Sequence, residues 1–170
     1  IDVLYEGKLV GRYDCKNAAG CVSGDMKLIE KHLWEVGCGR LYDLVITFGG
    51  DTVKSYFGLR DVRLDGFKYL INGKSVFQRL VLDQGFYRDG IYTAPDDSDM
   101  INDIEISLAA DFNGARLHQK VFEQRFLYHC DRLGYIVWGE YPNWGFGYDN
   151  EAYTNIYVRE WLESVERDYN

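Results

Sequence analysis

The 170-residue sequence predicts a chain in two parts, β in the first and α/β in the second. Three observations carry this. Short β-rich runs separated by turn residues fill the sequence up to about Phe67, and strand-like and helix-like periods alternate after it. Between them, the run K-S-V-F-Q-R-L-V-L from Lys74 is largely apolar from Val76 until it stops in Asp83-Gln84-Gly85. That pattern reads as a buried strand with polar chemistry at its C-terminal end.

In order, residues 1–9 alternate loosely about a turn at Glu6-Gly7 and read as a hairpin. Residues 17–24 are turn-forming, and 26–33 read as a strand leading to Trp34. After Gly37-Cys38-Gly39 comes the β-rich run 41–48, which Gly49-Gly50-Asp51 turns back into a second arm over 52–58. Short strands of this kind indicate a β-sandwich, which needs about seven strands where four or five are visible. The module therefore looks incomplete at its N-terminal end.

Tyr69-Leu70-Ile71, the turn Asn72-Gly73 and the strand from Val76 form a hairpin that hands over to the second part. Asp96-Asp97-Ser98 is a helix-start cluster, followed by Met100, Ile101, Ile104 and Leu108 at helical spacing. A short strand at 113–117 ends in His118-Gln119. Phe122, Phe126, Leu127, Cys130 and Leu133 then share one helical face, closed by Gly134. A third strand at 136–138 ends in Gly139-Glu140, and Tyr153, Ile156, Tyr157, Trp161 and Val165 mark a last helix. This β-α-β-α-β-α order demands parallel strands, either as a small three-layer sheet or as the first part of a (β/α)8 barrel. In both, Asp83, Gln84, His118, Gln119 and Glu140 fall at the C-terminal strand ends, where barrel enzymes place their sites.

Composition narrows the partners. A net charge of -8 with no basic stripe argues against a nucleic-acid backbone or an anionic membrane. No apolar run is long enough to span a bilayer. Aromatics make up 16% of residues, enough for an aromatic-rich core or for ring faces that hold sugars. Cys15, Cys21, Cys38 and Cys130 fit neither a zinc spacing nor a dense disulfide framework, with a Cys15–Cys21 pair across a turn as the one disulfide weighed. The sequence begins at Ile inside a strand pattern and reads as an excised piece, so the compartment stays open.

The ordered set W-E-V-G-C-G-R-L-Y-D-L, V-K-S-Y-F-G-L-R, Y-L-I-N-G-K-S-V-F-Q-R-L-V-L-D-Q-G, D-I-E-I-S-L-A-A-D-F-N-G-A-R-L-H-Q and C-D-R-L-G-Y-I-V-W-G-E resembles glycoside hydrolase family 2, which includes β-galactosidases, β-glucuronidases and β-mannosidases. The resemblance covers nearly the whole chain. It implies the end of an immunoglobulin-like β-sandwich over residues 1–67, then the first three βα units of a (β/α)8 TIM barrel over 68–170. It also implies a retaining hydrolase of β-glycosides, β-galactosidase-like, with a carbohydrate as partner.

Retaining glycosidases place two carboxyls about 5 Å apart, one as acid/base and one as nucleophile. The family carries them after the fourth and seventh barrel strands, which puts both beyond Asn170. Asn150-Glu151 spells the family's Asn-Glu dipeptide but precedes a helix, so Glu151 reads as a helix-start residue. Glu140 matches a glutamate after the third strand that helps hold a divalent cation in some members; its other reading is an ion pair with Arg116 or Arg79. His118 stands one position before the histidine of the usual Arg-x-Ser-His, and Leu82-Asp83-Gln84-Gly85 replaces Asn-Arg-His-Glu. Those departures fit a separate branch and leave the sugar open. Trp144 is a candidate for stacking on a pyranose ring, and Trp138 is either that or core. The competing class is a non-catalytic carbohydrate-binding or adhesion module. Three barrel strands alone leave open edges, so the 170-residue piece is expected to self-associate and to show no glycosidase activity.

Overall fold

The computed structural model describes residues 1–16, 20–145, 147 and 149–169. The chain divides into two compact units, Ile1–Glu35 with Arg40–Ser75, and Val36–Gly39 with Val76–Asn170. Part of the turn expected over 17–24 lies outside the described residues.

In the first unit, β1 (Asp2–Tyr5), β2 (Lys8–Arg12), β3 (Leu41–Phe48) and β4 (Asp51–Gly58) form an antiparallel sheet in the order β2-β1-β3-β4. Glu6 and Gly7 both take positive φ, 50° and 78°, the geometry whose twist matches a two-residue hairpin. Val3, Val10 and Tyr42 are at most 2% exposed and form the core, with Tyr42 stacked on Phe57 at 5.0 Å. The strand expected over 26–33 is absent. That segment runs as an irregular strap whose Met26 and Leu28 side chains cover the core beside Gly11. It is pinned by Ile29 N–H on the Val10 carbonyl and by the Tyr42 hydroxyl, which accepts from His32 N–H at 2.6 Å and donates to the Glu30 carbonyl. A buried tyrosine hydroxyl thus takes the place of a strand partner.

A second antiparallel sheet of β5 (Val62–Asp65), β6 (Lys68–Ile71) and β7 (Lys74–Ser75) completes this unit. The sequence divides the chain at 67/68, whereas the contacts divide it after Ser75, because β6 pairs with β5 on one side and β7 on the other. Asn72 and Gly73 take positive φ at the expected turn.

The second unit holds β8 (Leu80–Asp83), β9 (Gly114–Leu117) and β10 (Ile136–Gly139), parallel and ordered β10-β9-β8. Helix α1 (Asp97–Ala109) joins β8 to β9, α2 (Gln124–Leu133) joins β9 to β10, and α3 (Glu151–Asp168) follows. This is the expected alternation, and Glu151 does open α3, capped by Asn150. Asp96 caps α1 through Ser98 and Asp99 N–H, and Gly134, at φ 71°, ends α2.

The buried strand expected over 77–82 is corrected in two ways. Residues 76–79 are not strand: Asn113 bridges them through its side chain, accepting from Arg79 N–H and donating to the Phe77 carbonyl. Phe77 is 80% exposed, and β8 is an edge strand whose Leu82 is 53% exposed. Ala115 and Leu117 of the central strand, both 1% exposed, form one cluster with Met100 and Ile104 of α1 and Phe126 and Cys130 of α2. Both helices therefore cover the same sheet face. Each large side chain buried there contributes about 1.5–3 kcal/mol. Cys21 carries a free thiol, so the Cys15–Cys21 disulfide is not formed.

Candidate functional site

Parallel pairing in register brings the three strand ends to one edge. Leu82, Arg116 and Trp138 are aligned neighbours, as are Asp83, Leu117 and Gly139, and His118 N–H continues the ladder onto the Asp83 carbonyl at 2.7 Å. Side chains alternate across a strand. Asp83 shares its face with buried Leu117 and points to the helix side, where its carboxylate accepts Gly85 N–H at 2.7 Å. Arg116 and Trp138 lie on the opposite face, where Trp138 is 55% exposed.

Two hydrogen-bonded sets form the rim. In the first, the Gln84 side-chain amide lies 2.9 Å from His118 Nδ1. In the second, Glu140 is paired with the Arg116 guanidinium and accepts Gln119 N–H at 3.2 Å. Gln119 and Asn143 complete it: the Gln119 amide donates to Asn143 Oδ1 at 2.7 Å, and Asn143 N–H donates back to Gln119 Oε1 at 2.8 Å. His118 and Gln119 are adjacent in sequence, so one turn after β9 serves both sets. Gln119 reaches its position with φ 57°, a left-handed conformation uncommon for a residue with a side chain.

Electrostatics separates the two faces. Burial works to raise the Glu140 carboxyl, but the Arg116 hydrogen bond and then Gln119 N–H outweigh it and hold the group below the ordinary glutamate range. On the helix side, burial and then the charge of Asp83 push the Asp103 carboxyl up. Burial, reinforced by the Asp103 and Asp83 charges, likewise raises the Tyr87 hydroxyl.

Of the sequence-predicted residues, Gln84, His118, Gln119 and Glu140 are therefore brought together. Asp83 is at the same edge but turned inward, and Trp144 is an exposed residue next to Asn143. Between the two partners weighed for Glu140, Arg116 is the one found; Arg79 pairs with Asp111. Among the described residues no three His, Cys, Asp or Glu side chains converge as a metal centre would require, and Glu140 already has its charge matched, so these residues do not fit a resident divalent cation. Sequence reasoning missed Lys120, which lies directly behind the rim with its side chain 6% exposed. A lysine beside Val121 and Phe122 carries no periodic signal of burial.

The architecture is of the kind found in glycoside hydrolases of family 2. No family model matches the chain, and no curated protein does. Solved structures do. A β-glucuronidase from an uncultured Clostridium species aligns with TM-score 0.80 at 26% identity, covering 99% of this chain and 30% of its own. The Faecalibacterium prausnitzii β-glucuronidase aligns at 0.71 and 27% identity over 83% of this chain and 23% of its own. The Ruminococcus gnavus β-glucuronidase shares the fold at 0.74 and 23% identity, with 98% and 28% covered. The chain thus spans less than a third of each of these enzymes.

Proposed function

We propose that this chain is part of a retaining β-glycoside hydrolase, comprising an incomplete immunoglobulin-like sandwich and the first three βα units of a (β/α)8 barrel. Support for the barrel comes from the strand order β10-β9-β8 with α1 and α2 on one face. A barrel keeps its helices on one side, whereas a three-layer sheet uses both. The observation that carries the functional reading is the pair of hydrogen-bonded sets, Gln84–His118 and Gln119–Glu140–Asn143, at the C-terminal strand ends. Amide, imidazole and carboxylate groups on one edge are the donors and acceptors a sugar's hydroxyls require, and exposed Trp138 and Trp144 offer ring faces.

Within these residues the chemistry stops at binding. Cleavage with retention needs an acid/base and a nucleophile about 5 Å apart across an oxocarbenium-like centre. Of the rim carboxylates, Asp83 faces the helices and Glu140 is committed to Arg116. The acid/base and nucleophile glutamates are then supplied by sequence beyond these 170 residues. The solved relatives are β-glucuronidases, so a β-glucuronide is the first substrate to try; the β-galactoside expected from sequence is the comparison sugar.

The test is an NMR titration of the chain with methyl β-glucuronide and methyl β-galactoside, alongside assays with the nitrophenyl glycosides. Saturable shifts at the Gln84, His118 and Gln119 amides without hydrolysis are expected. Hydrolysis by the 170-residue chain would overturn the assignment of the catalytic carboxylates. Shifts confined to the aromatic residues of the first unit would favour a binding module instead.

A further inference from the structure

Lys120 is the buried lysine among the described residues, 5% exposed, and burying an ammonium is costly unless its charge and donors are met. Here both of its hydrogen bonds go to a single loop. Lys120 Nζ donates to the Gly85 carbonyl at 3.1 Å and to the Tyr92 carbonyl at 2.8 Å. It lies 4.4 Å from the Tyr92 ring centre and 4.8 Å from that of Phe122, with Glu123 Oε1 at 3.9 Å. Gly85 and Tyr92 bracket the loop that follows β8, so one cation holds the loop at both ends.

The loop needs holding. Gly85 sits at φ 64°, and a Cβ there would fall 2.7 Å from Lys120 Nζ and 2.9 Å from the Phe122 ring, so the backbone comes down onto the ammonium. Ile91 takes φ 56°, an outlier for a β-branched residue, while exchanging both backbone hydrogen bonds with Tyr87 at 2.8 and 2.9 Å. Phe86 and Ile91 are 63% and 72% exposed, so Tyr87, which packs against the core, is the main apolar anchor of this segment. Yet Gln84, one residue before Gly85, must meet His118, two residues before Lys120.

The geometry points to Lys120 as a positioning residue: its ammonium ties the loop after β8 to the turn after β9 and thereby sets Gln84 against His118. That this edge receives a sugar rests on the function proposed above; the clamp does not. A lysine that merely filled space would lend the loop no more protection than the core. A clamp protects the loop selectively.

The experiment compares the 170-residue chain with its Lys120→Met variant, which keeps the length of the side chain and removes charge and donors. Amide exchange is read at Tyr87 and Ile91, with Tyr135 and Ile136 as core references, and the His118 imidazole nitrogens are read by NMR beside Gln84→Ala. In Lys120→Met, Tyr87 and Ile91 should exchange ~10-fold faster or more while the references change less than ~2-fold. The His118 nitrogens should move to their Gln84→Ala positions. Unchanged loop exchange, loop and core rising by the same factor, or a wild-type His118 signal would each overturn the proposal. If Lys120→Met does not fold, Gly85→Ala displaces the ammonium instead. Wild-type exchange at Tyr87 and Ile91 in that variant, or its failure to fold as well, overturns the clamp. A negative sugar titration would count against the binding reading and leave this result standing.

Discussion

The two faces of the β8-β9-β10 sheet carry similar residues and meet opposite fates. On the helix side, Ala115 and Leu117 are 1% exposed beneath Ile104 and Phe126; on the other, Leu82 is 53% and Trp138 55% exposed. Leu80-Val81-Leu82 is a continuous apolar run, the pattern of a strand buried on both faces. One face has found its cover within these residues. The other keeps Ile136 at 5% exposure but leaves its C-terminal end, Leu82 and Trp138, open. Helix α3 repeats the lesson: it spans 18 residues and buries none of them, whereas α2 buries Phe126, His129 and Cys130 in 10.

The largest effect should come from asking each face the same question. Phe126→Ala is expected to cost about 3–5 kcal/mol in urea unfolding, since it empties a packed site. Trp138→Ala should cost under about 1 kcal/mol, as a surface change does. An equal cost for the two would break the comparison. If the Trp138 cost instead appears only at high protein concentration, the open face is covered by a second copy, which is the self-association proposed for this piece; sedimentation across the same range checks it directly.

Next is the C-terminal end of α2. Gly134 lies at φ 71°, and a Cβ there would meet the Gly37 and Cys38 amide nitrogens at 2.6 and 2.4 Å. Gly134→Ala meets both a left-handed penalty of about 1–2 kcal/mol and a backbone clash. The expected loss is about 2–3 kcal/mol, read by thermal or urea unfolding. A loss below about 0.5 kcal/mol would show that Val36–Gly39 yields freely.

Most of the element order was legible because it rests on local chemistry: Asn72-Gly73 for a turn with two positive φ values, Asp96 for a cap, Gly134 for a stop. What stayed hidden depends on partners distant in sequence. The 26–33 strap has strand-like residues, but Tyr42 claims its backbone groups; Asn113 does the same for Phe77 and Arg79. At the site, parallel strands predicted which residues gather. Polarity alone did not say that Asp83 turns inward, nor that Lys120 is buried.

A smaller effect concerns pH on the covered face. His129 is 4% exposed, and burial holds its imidazole below the ordinary histidine value, against the pull of Asp97 3.4 Å away; Arg125 and Arg132 add to the lowering. Asp97 is held by Arg125, and Tyr128 packs beside the ring. The unfolded chain therefore binds a proton that the folded chain refuses. Stability should fall as pH drops below about 6.5, with a slope of at most about 1.4 kcal/mol per unit from this group, until His129 protonates in the folded state. His129→Leu should flatten that part of the curve in urea titrations. An unchanged slope would assign the pH dependence elsewhere.

The smallest expected effect on stability is at the open edge. Glu140 is 16% exposed on its side chain, but its partner Arg116 is 49% exposed, so solvent reaches the guanidinium and screens the pair toward the about 0–1 kcal/mol of surface pairs. Glu140→Gln keeps an acceptor for Gln119 N–H and removes the charge. Because the folded carboxyl titrates below its unfolded value, its contribution is present above about pH 4.3 and is lost as pH falls through the folded value. The wild-type and Glu140→Gln stabilities should therefore differ by less than about 1 kcal/mol at neutral pH and converge in acid. The sugar titration should show the opposite balance, with the response at the Gln119 amide weakened or lost, because the carboxylate aligns Gln119 and through it Asn143. A cost above about 2 kcal/mol with the sugar response intact would mean that Glu140 supports the fold, as a buried ion pair does, and that the open edge is not where a ligand binds.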